Sequence, residues 1–140
     1  MDESRPACRS QFMEDWLQDR GIRREATQKL MRIFDVWDIA GGEKLELLGA
    51  CADDAEYLGR LREGVEILPH DEESCRRAMN ILSIQRSLEE FAPDAPQWRD
   101  DWVHQPIKGL GYERPIDIMR HEGLPGIERV RRYTKTLGHL

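Results

Sequence analysis

The chain has 140 residues, 39% hydrophobic and 34% charged, which is enough to bury one real core and too evenly mixed for a disordered tract. Its 27 acidic against 21 basic residues leave a net charge of −6, which argues against a sequence-wide phosphate-binding role and confines any nucleic-acid contact to local basic patches. Cys8, Cys51 and Cys75 form no close pair, so neither a disulfide framework nor a zinc site is signalled; no stretch approaches the ~20 apolar residues of a membrane span, and a cytoplasmic location is expected.

Residues 1–25 read as an N-terminal extension. From Ala26 to Ile39, Ala26, Leu30, Ile33, Phe34 and Trp37 recur at helical spacing, which predicts a helix with one buried face, stopped by Gly41-Gly42. A short segment with Leu45, Leu47 and Leu48 follows. After a turn at Gly49, Asp53 is the expected N-cap of a helix that Gly64 terminates, so helix, tight turn, helix is the natural reading. Asp71 introduces the longest helix, whose apolar residues form two adjacent stripes and imply two packing partners. Pro93 and Pro96 end it and mark the one internal boundary, separating an expected domain at 26–92 from one at 93–140.

Beyond that boundary, Trp98 and Trp102 lie one turn apart on a short helix and read as core. Gly109 and Gly111 loosen a loop, and Pro115 and Pro125 each occupy a first-turn position of the last two helices. In the final helix Ile127, Val130, Thr134 and Leu137 share a face. No strand alternation occurs, so the expected class is all-α, with seven or eight short helices. No nucleophile–base pair, phosphate loop or metal cluster is visible, and His70, His104, His121 and His139 have no ligand spacing and read as surface residues. The chain is expected to be no enzyme and to need no cofactor.

Three stretches together resemble the Xre/MbcA/ParS antitoxins of bacterial toxin–antitoxin pairs, whose toxins carry the RES domain. "ELLGACADDAEYLGRLREGVEIL" resembles the family's Xre-like helix-turn-helix, and "RRAMNILSIQRSLEEF" its connecting helix. The most specific is "DWVHQPIKGLGYERPIDIMRHEGLPGIERVRRYTKTLG", where Trp102, Pro106, Leu110, Gly111, Pro115, Gly126, Val130 and Tyr133 fall at the family's spacings. Two departures stand in its loop: Ile107 where the family commonly has asparagine, and Tyr112 in place of a second glycine.

The resemblance implies an N-terminal part that dimerises and contacts operator DNA, and a C-terminal part that binds a RES-domain toxin and blocks its NAD-consuming active site. The expected partners are that toxin, a second copy of the chain within a hetero-oligomer, and operator DNA; no membrane is expected. The implied scaffold is Trp102, Pro106, Leu110, Gly111, Pro115, Gly126 and Val130. Toxin contact would fall to Arg114, Met119, Arg120, Arg129, Arg132 and Tyr133, then to Lys135, Thr136, Leu137, Gly138, His139 and Leu140. From Arg114 onward basic residues outnumber acids, which suits docking onto an acidic rim. A second polypeptide is expected to complete the last helix's apolar and cationic surfaces. DNA contact would fall to Arg23, Arg24, Lys29, Arg60 and Arg62, although Asp53, Asp54 and Glu56 at the start of the recognition helix repel phosphate. The competing function is a helix-turn-helix regulator whose C-terminal module serves only oligomerisation.

Overall fold

The computed structural model describes residues 10–138, which form eight α-helices and no strand. Helix α1 (Gln11–Gln18) begins where the Ser10 side chain accepts from the Met13 amide, and α2 (Arg20–Trp37) begins where Asp19 accepts from Gly21 and Ile22. Both lie within or start in the segment that the sequence left as an extension, yet α1 buries Met13 and Trp16. The Trp16 indole donates to the Pro69 carbonyl at 2.8 Å, fixing α1 to the start of the long helix.

Gly41-Gly42 does not stop α2. Asp38 does, by turning left-handed at φ 53 with its amide on the Asp35 carbonyl. The two glycines instead open α3 (Gly41–Leu47), where a Cβ would stand 3.3 Å from Leu58 at Gly41 and 3.2 Å from the Ala52 carbonyl at Gly42. Their role is close approach to the next helix and to the turn that precedes it. Helix α4 (Ala55–Glu63) is capped by Asp54, one residue beyond the expected Asp53, and ends at Gly64.

The long helix α5 (Glu72–Phe91), capped by Asp71, is central: α1, α2 and α8 all pack on it. Cys75, Ala78, Ile81, Ile84 and Leu88 face the core, as do three polar residues, Asn80, Gln85 and Ser87. Gln85 accepts from the buried Trp37 indole at 2.8 Å, which satisfies both groups. Then come α6 (Pro96–Asp101), 3₁₀ turns at Trp102–His104 and Lys108–Leu110, α7 (Pro115–Glu122) and α8 (Leu124–Thr134). Arg76 pairs with Glu128 near the starts of α5 and α8, and Gly138 lies beside Phe91 near their ends, so the two helices run side by side in the same direction. A single cluster of buried side chains, from Met13 to Val130, joins all parts of the fold.

Burial pushes the Cys75 thiol up to about 11, so at neutral pH it is an inert thiol, whereas Cys51 is exposed. Thiol labelling at pH 7.5 with peptide mapping is expected to modify Cys51 and to leave Cys75 untouched until denaturant is added.

Candidate functional site

The C-terminal third is built around one aromatic stack and one backbone contact. Trp102, 3% exposed, lies nearly parallel to Tyr133 with 6.3 Å between ring centroids. Gly109 covers the Tyr133 ring so closely that a Cβ there would stand 2.3 Å from it. The loop between Trp102 and Pro115 is thus clipped to the last turn of α8. At Gly126 the backbones of α7 and α8 touch: a Cβ would lie 2.4 Å from the Ile118 carbonyl oxygen and 2.7 Å from the Glu122 Cβ. Pro115 is buried in the first turn of α7, and Leu110 and Val130 are fully enclosed. Pro106 is exposed.

The apolar stripe of α8 needs no second chain. Ile127, Val130 and Thr134 are buried against α5 and α7, and Leu137 packs at the edge of the same core. The expectation that a partner completes this greasy face is therefore corrected, because α5 already carries two apolar stripes and offers one of them to α8. Met119 is also fully enclosed, so it supports the site without reaching its surface.

The cations divide into two groups. Arg120 bridges α7 to α3, at 2.6 Å from Glu46 and 3.3 Å from Glu43. Arg129 pairs with Glu122 at 2.9 Å and donates to the Leu110 carbonyl. Arg114 makes a two-pronged contact with Asp117 and holds that carboxyl below the usual carboxylate range. Because the folded value is the lower one, this pair's stabilisation is present at neutral pH and fades as the pH falls through it. Arg132 and Lys135, by contrast, are exposed and have no ion-pair partner among the described residues. Thr136 donates back to the Tyr133 carbonyl, and Gly138 turns left-handed at φ 84. His139 and Leu140 lie outside the described residues.

Beside this end of α8 is an open groove of about 480 Å³, lined by Ser87, Glu90, Phe91, Thr134, Lys135, Leu137 and Gly138. Phe91 (46% exposed) meets Trp98 (41% exposed) at its margin, with ring centroids 5.6 Å apart. Trp98 is thus not core: α6 ends at Asp101, and Trp102 turns inward on the 3₁₀ turn that follows while Trp98 stays at the rim. Residues 87–133 match the family model of the antitoxin Xre/MbcA/ParS C-terminal toxin-binding domain. The chain carries an Xre/MbcA/ParS toxin-binding domain. Comparison with curated proteins and with solved structures returned no match.

The toxin-binding domain begins inside α5, at Ser87, so the helix that caps the N-terminal part also supplies the floor under α8. Where α5 and α8 end, Phe91 and Lys135 line one groove and Trp98 packs on Phe91. Phe91 and Trp98 escaped the sequence reading as surface groups because aromatic residues at helical spacing read as core. The signal that would have separated them is the Ala92–Pro96 break between them, which ends α5 before Phe91 can be covered.

The residues expected to meet DNA are otherwise engaged. Arg23 is buried and donates to the Trp16 carbonyl at 2.8 Å; Arg24 donates to the Gly64 carbonyl. Lys29 pairs with Glu25, Arg60 with Glu66 at 2.7 Å, and Arg62 with Asp35 at 2.9 Å. His104, expected at the surface, is half-buried, and its Nε2–H donates to the Trp37 carbonyl at 2.6 Å, since a carbonyl can only accept. No helix among the described residues is long and apolar enough to cross a membrane.

Proposed function

We propose that this chain is the antitoxin of a RES-domain, NAD-consuming toxin, and that it silences the toxin by lodging the end of α8 and the residues after it in the active-site cleft. The observation that carries the reading is the toxin-binding domain at residues 87–133. Supporting it, Arg132 and Lys135 are exposed with no ion-pair partner among the described residues, and Lys135 lines the open groove with Phe91, while Arg120 and Arg129 are committed to internal pairs. A cleft built for a dinucleotide's phosphates accepts cations at its acidic margin more readily than at its floor, so these two residues act as steering groups on the rim. Homodimerisation within the complex belongs to the same reading.

Operator binding is the weaker reading, because the cations assigned to it are held by acids or backbone carbonyls in the folded chain. Separating them would cost each arginine an existing partner before it met a phosphate. The regulator hypothesis requires salt-dependent operator binding by the chain alone.

The test is co-purification of the chain with the RES-domain protein encoded beside it, followed by an NAD-consumption assay. Undiminished NAD turnover in the presence of excess chain would sink the proposal. The double substitution Arg132→Glu/Lys135→Glu is expected to weaken inhibition by about 10- to 100-fold, the scale of two reversed charges at an interface rim. Its unfolding midpoint should be unchanged, since exposed substitutions of this kind shift stability by less than about 0.5 kcal/mol.

A further inference from the structure

Tyr112 is held in a conformation that its side chain disfavours, and no side-chain hydrogen bond or ring contact among the described residues compensates it. Its φ is +64, directly after Gly111 at φ +72, so two successive residues are left-handed. The first is a glycine. The second is a large aromatic residue, 69% exposed, with no hydrogen bond or ring contact from its side chain among the described residues. A bulky residue at positive φ is a genuine outlier, and glycine at the same place would satisfy the turn without strain.

The backbone around it is firmly set. Ile107 and Glu113 form an antiparallel bridge, the Tyr112 amide donates to the Ile107 carbonyl at 2.9 Å, and so does the Leu110 amide. The Cα–Cβ bond of Tyr112 therefore leaves a hydrogen-bonded loop in a set direction, which lowers the backbone entropy lost on docking. That loop is the one Gly109 clips to Tyr133, and a Cβ at Gly111, the residue before Tyr112, would lie 4.0 Å from the Arg129 guanidinium, so the loop sits against α8. Exposed, preoriented tyrosines with an apolar ring and a polar tip are typical binding anchors.

We propose that Tyr112 is an anchor of the toxin interface, its ring entering an apolar pocket on the RES-domain partner, and that this contact is why a strained tyrosine occupies a glycine's conformation. The inference rests on the antitoxin reading and adds a contact outside the C-terminal end. A purely structural role would make stability and binding fall together; an anchor under strain makes them move oppositely.

The experiment measures melting temperature and affinity for the purified RES-domain protein in three variants of the full chain. Tyr112→Gly is expected to melt a few degrees higher and bind at least 10-fold more weakly. Tyr112→Ala, which keeps the strain and loses the ring, is expected to bind as weakly without the gain in melting temperature, and Tyr112→Phe to retain most of the affinity. If Tyr112→Gly binds within twofold of the unsubstituted chain, the anchor is overturned and the antitoxin reading stands. A glycine variant that loses both stability and affinity also overturns it, because the ring would then be holding the fold. If the unsubstituted chain itself fails to bind, both proposals fall.

Discussion

Replacing Trp37 by alanine is expected to cost about 4 kcal/mol, the range found for deleting a buried aromatic side chain, with a further contribution from the polar group left behind. The ring is fully buried and tilts against Phe34, and its indole donates to Gln85 inside the core. Trp37→Ala therefore opens a large cavity and strands a buried amide oxygen at once. Trp37→Phe separates the two effects: it refills most of the volume and leaves Gln85 unpaired, with an expected loss of roughly 2 kcal/mol. Adding Gln85→Leu to Trp37→Phe should recover part of that loss, since an apolar pair needs no hydrogen bond. Chemical denaturation of the four proteins checks the order. A Trp37→Ala variant as stable as Trp37→Phe would show that the cavity collapses at no cost. The effect should reach the toxin-binding domain, because the Trp37 carbonyl is the acceptor for His104 in the turn that carries Trp102.

Gly126→Val is expected to lower stability by about 3 kcal/mol, through overpacking where two backbones touch. Two terms compete at this position. Removing glycine from a helix gains at most ~1 kcal/mol in backbone entropy. Against it stands a Cβ placed 2.4 Å from the Ile118 carbonyl oxygen, an atom of the α7 backbone that cannot rotate away. The steric term wins, and α8 must lift from α7. Gly126→Ala, with the same Cβ and no branches, should fall between the two. Urea unfolding midpoints provide the measurement, and an alanine variant more stable than the parent would show that the α7–α8 corner yields cheaply. Since α8 also covers α5, the valine variant should lose toxin neutralisation along with stability.

The same packing bears on how the C-terminal third is tested. Truncation before Pro115 would remove Ile116, Ile118, Met119, Ile127 and Val130 from the shared core, so loss of protection in such a variant would report unfolding as readily as lost contact. Surface substitutions at Arg132, Lys135 and Tyr112 avoid that ambiguity.

Resemblance to a family pointed to the toxin-binding domain, and the sequence by itself determined the helical class, the long α5 with its two stripes, and the first-turn prolines of α7 and α8. These features are local: periodicity, capping and proline chemistry act within a few residues, so they can be read without knowing what lies across the core. Only the tertiary structure decided what each exposed group faces. It showed Gly41-Gly42 as a close approach and not a stop, since a glycine chosen for φ and one chosen for space look identical in a sequence. It moved Trp98 to the surface and kept Trp102 inside, because the helix ends at Asp101 and Trp102 opens a separate 3₁₀ turn, which breaks the helical register between the two rings. It also sorted the cations, pairing Arg120 and Arg129 with acids and leaving Arg132 and Lys135 exposed without an ion-pair partner among the described residues. Ion pairs such as Arg120 with Glu46 join residues far apart in the chain, and only the packed fold brings those charges within reach of each other.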